Sequence, residues 1–542
     1  MKRRRGGTGG FLLHNRLLLD APRAGRRPRR GEAVLVRGGV IEAVGPLGAI
    51  RRRAGRGIES FDLRGGTLTP GFVDAHIHLL TWIRALREAR FEGAQDEAEL
   101  ARIVRGREQS LRPGEWIAVR GWVPREWSDA LRVRATLDRV SPRTPLVLYA
   151  ADGHSVWANG AALDAVGIDG RTANPPGGVI AHDAQGRPTG HLIEEAANLL
   201  RPHVPRLGDP REELRAAAER ARALGITAAH DFDRSVTWRA AQDLAATGRL
   251  PIRVLLSVPV AALDAAEQVG LRTGFGGARL RIGGVKMFAD GTLGSATALL
   301  EEPYEGSLSH GIEVTSTPEM RRRALQAAAA GLSVAIHAIG DRAVRHALDA
   351  IEGARAEGAR FPRPPRVEHI QLCRAEDFAR FRRLGVLASV QPIHLLTDRG
   401  VARGYWGGRT GRAYAWRGLL GARAELLFGS DAPFDRAGPV AGLHAAIHRL
   451  GPGERVAHTF HPEQRLTLAQ ALRAHCESPH RAGEWDAPLG RIAAGYGADL
   501  VAFDHDLRGL LREGSGMTAP ALDAAARPRA TWVAGEVREH RR

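Results

Sequence analysis

The chain has 542 residues, more than one hydrophobic core usually supports, so more than one structural unit is expected. Hydrophobic residues at 44% and charged residues at 25% exclude a disordered chain and fit an ordinary globular protein. The formal charge of +18 raises nucleic acid as a partner, but the arginines run along the whole chain with no aromatic residues interleaved. A solvated basic surface is therefore expected, with no nucleic-acid partner.

All but two of the 78 basic residues are arginine, the exceptions being Lys2 and Lys286. Lys2 sits in a charged terminus. Lys286 lies inside the chain, at a place where arginine has not been accepted, and is a candidate for chemistry that a guanidinium cannot perform. Cys373 and Cys476 are far apart and outside any CxxC pattern, which argues against a disulfide framework or a thiolate zinc site and fits a reducing cytosol. No apolar stretch approaches the roughly 20 residues of a membrane span, and the apolar run near the N-terminus is broken by His14, Asn15 and Arg16. The expectation is a cytoplasmic protein without a membrane segment.

In chain order, short apolar runs at 11–13, 33–36 and 40–44 predict strands of a small β unit. Runs at 498–503 and 530–537 repeat that character, so one small β-sandwich domain is expected from residues 1–67 and 485–542. Between them, 68–484 alternates strand-like and helix-like stretches, the pattern of βα units around a parallel sheet. Strands are predicted at 68–75, 226–231, 251–257, 280–288, 332–337, 366–370, 386–391 and 425–429, and helices at 210–224, 318–330 and 341–357. Eight strands predict an α/β fold, a (β/α)8 TIM-type barrel with catalytic residues at the strands' C-terminal ends. About 150 residues separate the first two strands, far beyond an ordinary connection. An inserted subdomain at 82–205, with strands at 116–120 and 146–149, is expected over the barrel mouth.

The strongest local signal is the segment from Thr69 to His78. Side chains two apart on a strand share a face, so His76 and His78 can meet one metal ion. Lys286, His337, His369 and Asp431 each end or follow a strand-like run, and a barrel gathers such positions around one axis. Singly, each is more often structural; together they make a nitrogen/oxygen set suited to zinc or another divalent transition metal.

The segments PGFVDAHIH (70–78), LYAADGHSVWAN (148–159), VKMFADGTLGS (285–295), HAIGDRA (337–343), EHIQ (368–371), SVQPIHLLTD (389–398) and GSDAP (429–433) resemble the amidohydrolase superfamily. The resemblance extends nearly over the full length and is specific for amidohydrolase family 3, which includes N-substituted formamide deformylases. It implies one or two divalent ions such as Zn2+. His76 and His78 would hold the more buried ion, and His337 and His369 the more exposed one. Asp431 would bind metal and carry protons as the catalytic residue. Lys286 would be carboxylated by CO2, its carbamate bridging two metals, unless it binds a substrate anion. The implied reaction is hydrolysis of a non-peptide carbon–nitrogen bond, an amide or formamide, by a metal-activated hydroxide. Ester hydrolysis or an isomerase or lyase step on the same site, and a non-catalytic basic nucleic-acid-binding protein, are the alternatives.

Asp152, His154, Asp290 and His394 fall inside matched segments and are candidates to orient a small-molecule substrate, the alternative being loop hydrogen bonding. Trp122 either lines the pocket or belongs to a core. Ala296 stands where the family commonly has arginine, which bears on recognition of a substrate anion. A homodimer is the assembly entertained.

Overall fold

The computed structural model describes residues 10–540 apart from 24–30, 92–95, 110, 113, 124–133, 152, 202, 205–207, 484 and 513–517. Its centre is an eight-stranded, all-parallel sheet whose strands follow one another in chain order. These are Phe72–Ile77, Ile226–Asp231, Arg253–Pro259, Leu280–Phe288, Val334–Ala338, Arg366–His369, Leu387–Val390 and Glu425–Phe428. The sheet is a nearly closed barrel. Its last strand returns to its first through the Asp431 N–H, which donates to the His76 carbonyl at 2.7 Å. Helices Pro210–Ala223, Thr317–Ala329 and Asp341–Ala356 pack outside, their alanines providing the close approach. Among the described residues, no helix is long and apolar enough to cross a membrane.

The run at 68–75, read above as one strand, is two. Thr67–Pro70 pairs with Leu500–Phe503 in the terminal sheet, and the barrel strand begins only at Phe72. Gly71 is the break. Its N–H donates to the Asp499 carbonyl at 2.8 Å, and a Cβ there would lie 2.0 Å from the Thr227 hydroxyl. Hydrophobicity is continuous across Gly71 because both strands are buried, so periodicity alone cannot see the change of sheet.

Both ends of the chain build the small β unit. One sheet holds Val40–Pro46, Glu32–Arg37, Phe11–His14 and Glu59–Asp62. The other holds Leu17–Leu18, Thr67–Pro70, Leu500–Phe503, Pro528–Val533 and Glu536–Glu539. Phe11 from the first stacks on Trp532 from the second, 6.1 Å between ring centroids, in a shared core. Between the first two barrel strands lies a separate six-stranded mixed sheet, from Ala89–Arg90 to Pro188–Glu194, with its own apolar clusters. Cys373 and Cys476 are buried free thiols. Many surface arginines pair with carboxylates, as Arg139 does with Glu97 at 2.8 Å and Arg322 with Glu319 at 2.6 Å.

One buried ion pair joins barrel and terminal sheet. Arg253, on the third barrel strand, donates from Nε and Nη2 to both oxygens of Asp499 at 2.8 and 3.1 Å. The Ala534 N–H adds a bond to Asp499 Oδ1 at 2.7 Å. Removing one partner of such a pair strands a buried charge and costs about 3–5 kcal/mol. Asp499→Ala is therefore expected to lower the urea midpoint markedly, and the double variant with Arg253→Met to recover part of that loss.

Candidate metal centre

The segment at 72–78 and the loop at 429–433 are fitted to each other. Gly429 packs on His76, where a Cβ would come within 2.4 Å of the backbone nitrogen. Ser430 donates to Asp74 from its N–H at 2.9 Å and its hydroxyl at 2.6 Å. Burial pushes the Asp74 carboxyl up to about 7 although the Ser430 bonds oppose it. Asp431 follows in the left-handed backbone region, φ 58°. Its Oδ1 comes to lie 3.6 Å from His76 Nε2 and 3.4 Å from His78 Nε2. That oxygen is buried and has no hydrogen-bond partner.

These three side chains can hold a cation, their ligand atoms lying within 4.8 Å of one another. His76 Nδ1 donates to Glu368 Oε2 at 2.7 Å, which leaves Nε2 with its lone pair facing Asp431. Burial and the Lys286 charge hold His76 down at about 4, so the neutral, ligating form is the one present. His78 goes the other way. Desolvation would lower it, but Asp233 and Asp431 outweigh that and raise it to about 9. The carboxylates thus favour a positive charge at this point. An orphaned buried oxygen, a tautomer with its lone pair turned inward and a field that attracts cations together fit a divalent metal.

A second cluster gathers His369, His394 and Asp431. His369 adopts φ 75° at the end of its strand, and its Nδ1 is hydrogen-bonded to the Gln391 amide at 2.9 Å and lies 3.9 Å from Asp431 Oδ2. The His337 ring lies 4.4 Å from the His369 ring, and its Nε2 donates to the Gly291 carbonyl at 2.9 Å, leaving Nδ1 as the ligating atom. Four of the six proposed ligands, His76, His78, His337 and His369, are thus gathered with the fifth, Asp431. The sixth, Lys286, is buried, with Nζ over the faces of Phe232 and Phe288 at 4.7 and 4.9 Å. Burial lowers it to about 8, and its charge acts on His76, His337 and His369.

Glu368 is a functional residue that sequence reasoning missed. It is fully buried and receives Arg366 Nε at 2.8 Å, while Arg366 also reaches His230 at 2.8 Å and the Ser389 hydroxyl at 3.0 Å. Burial opposes ionisation, but Arg366 and then His76 outweigh it, and the carboxyl stays far below the usual range. An arginine and a glutamate two apart on a fully buried strand is the signal that could have revealed it.

The other substrate-site candidates separate. His154 borders a cavity of ≈ 60 Å³ together with His337, His369, His394, Asp431 and Phe434. Its Nδ1 meets Glu194 at 2.7 Å, and the Thr297 hydroxyl donates to the same carboxylate at 2.6 Å. Asp290 is instead a loop clamp: its carboxylate accepts N–H bonds from Leu299, Ile339 and Gly340 at 2.8–3.0 Å. Trp122 is fully buried in the core of the inserted sheet, stacked on Trp157 at 5.5 Å, and does not line the cavity. Asp152 lies outside the described residues. A larger cavity of ≈ 240 Å³, against Arg417, His448 and Arg465, gathers no metal-ligating cluster among the described residues.

The amidohydrolase family model matches residues 59–538. The chain belongs to the amidohydrolase family, in its family 3 branch. It is 32% identical over 487 residues to the Arabidopsis thaliana protein LONG AFTER FAR-RED 3, covering 87% of this chain and 83% of that one. It is 28% identical over 511 residues to the N-substituted formamide deformylase of Arthrobacter pascens, covering 88% and 90%. Among solved structures, an uncharacterized metal-dependent hydrolase from Pyrococcus horikoshii OT3 superposes with a TM-score of 0.74 at 27% identity, covering 92% of this chain and 98% of that one.

A carboxylate behind a metal-binding imidazole typically contributes ~10- to 100-fold in metal affinity. Glu368→Gln is expected to weaken zinc binding by about that factor in a chelator competition titration. His76→Ala should abolish metal binding at this candidate centre in the same titration.

Proposed function

We propose that this amidohydrolase-family enzyme hydrolyses the carbon–nitrogen bond of a neutral, non-peptide amide of the formamide type. The observation that carries the reading is the buried, unpartnered Asp431 oxygen set between His76 and His78. The similarity to an N-substituted formamide deformylase supports the bond class. The cavity supports a neutral substrate: among the described residues no arginine or lysine lines it, in a chain of net charge +18. Ala296, in place of the family's arginine, agrees with that.

His76, His78 and Asp431 would hold one divalent ion, zinc by ligand type, and His337 and His369 a second. When bound, such ions lower the pKa of a water molecule and polarise the substrate carbonyl. The chain's own groups do the rest. Asp431 is held below the usual carboxylate range, burial being outweighed by His76 and then His78, so it is ionised and able to accept a proton from water. Water oxygen joins the carbonyl carbon, the carbon–nitrogen bond breaks, and Asp431 delivers the proton to the departing amine. The products are a carboxylic acid and an amine. Leu293, Ile339 and Phe434 set an apolar wall beside that transfer.

Lys286 suits a carbamate because carboxylation needs the free amine, and burial brings that form within reach of neutral pH. With two metals, the carbamate would supply the anionic oxygens between them. In 13C-bicarbonate, the wild type is expected to show a carbamate resonance that Lys286→Arg lacks, with about two metals per chain falling to one or none. One metal and a bare amine in the wild type would remove the bridge. On a substrate panel, N-substituted formamides should be cleaved to formate and amine in a chelator-sensitive reaction. Asp431→Asn should lose about 10²-fold or more in kcat. Full activity of that variant would sink the assignment.

A further inference from the structure

His394 stands in the second cluster by proximity, 3.8 Å from Asp431 Oδ2 through Nε2. Its hydrogen bonds say which form the ring takes. Gln371, 3% exposed at the cavity wall, places Nε2 3.1 Å from Asp398 Oδ2 and 3.2 Å from His394 Nδ1. The Tyr414 hydroxyl donates to the same Asp398 oxygen at 3.2 Å. A carboxylate oxygen can only accept, so the Gln371 group facing it is the amide nitrogen. Turning the amide over would set its oxygen against a carboxylate. The nitrogen has two hydrogens, one for Asp398 and one for His394 Nδ1. Nδ1 therefore accepts, and the ring proton is on Nε2, on the side of Asp431 and the cavity.

A nitrogen that carries a proton has no lone pair for a metal. We infer that His394 is a catalytic hydrogen-bond donor, presenting Nε2–H to the substrate's carbonyl oxygen, and that Gln371 and Asp398 are positioning residues that impose this tautomer. The inference rests on the hydrolytic reading above for its reaction, but not for its structural content. As negative charge grows on the carbonyl oxygen during attack, a donor already aimed at it stabilises the developing charge without reorganising. The imidazole neither gains nor loses a proton.

The His337 and His394 rings thus do different work in one cavity. His337 spends its Nε2 proton on the Gly291 carbonyl, which leaves a lone pair on Nδ1. His394 does the reverse.

The test uses the metal-loaded enzyme with 15N-labelled histidine rings, the His394 resonances being assigned by their loss in His394→Asn. The wild type is expected to show the Nε2–H tautomer for His394. Gln371→Glu, whose carboxylate can only accept, should convert it to Nδ1–H. Metal content should be unchanged in both variants. On N-benzylformamide, His394→Asn should lower kcat by about 10²–10³-fold, the usual effect of deleting one oxyanion donor. An Nδ1–H tautomer in the wild type, or loss of a metal equivalent in His394→Asn, would overturn the inference. Failure of the wild type to cleave the formamide would instead count against the reaction, since tautomer and metal content are read independently of turnover.

Discussion

The contact on which the site depends is backbone to backbone: the Asp431 N–H on the His76 carbonyl, at the seam where the last barrel strand meets the first. It sets a carboxylate from one end of the barrel beside two imidazoles from the other. Gly429 permits the approach, since any side chain there would strike His76. Ser430 and Asp74 fasten the two segments on the opposite side. The left-handed backbone at Asp431 then turns its carboxylate inward. Barrel closure and site assembly are consequently one event, and the neighbouring residues of both motifs are explained by that seam as well as by the ligands themselves.

Behind the seam, charge is arranged in layers. Arg366 neutralises Glu368, Glu368 orients His76, and His76 faces Asp431. A buried guanidinium and carboxylate add little net stability compared with an apolar pair. What they provide here is direction, fixing which nitrogen of His76 bears the proton. The same device recurs in two other imidazoles: Gly291 acts on His337, and Gln371 with Asp398 on His394. Each protein-side bond settles a tautomer, and the tautomer settles whether the ring offers a lone pair or a hydrogen.

Much of this was legible in the sequence, for definite reasons. Seven of the eight barrel strands lie where continuous apolar runs predict them, and the candidate ligand positions stood out because a barrel brings strand ends together. Alternation in His76–Ile77–His78 showed the shared face directly. The single long strand at 68–75 misled because both of its halves are buried, so only the third dimension separates them at Gly71. Glu368, Glu194 and Gln371 escaped notice for a related reason. Their roles are defined by partners 292, 40 and 23 residues away in the chain. Asp290 and Trp122 resembled site residues by their motifs or position, yet the first clamps a loop and the second fills a core.

The inserted sheet shows how this barrel is specialised. Antiparallel pairing of Ser155–Ala158 with Pro188–Glu194 brings His154 and Glu194 together at its edge. Thr297, from the loop after the fourth barrel strand, closes the link. The insertion therefore contributes His154 to the lining of the cavity. The most direct measurement of the whole account is anomalous diffraction from zinc-loaded crystals on the two sides of the zinc edge. An edge-dependent peak is expected within bonding distance of His76 Nε2, His78 Nε2 and Asp431 Oδ1. A fully loaded, active crystal with no peak there would contradict it.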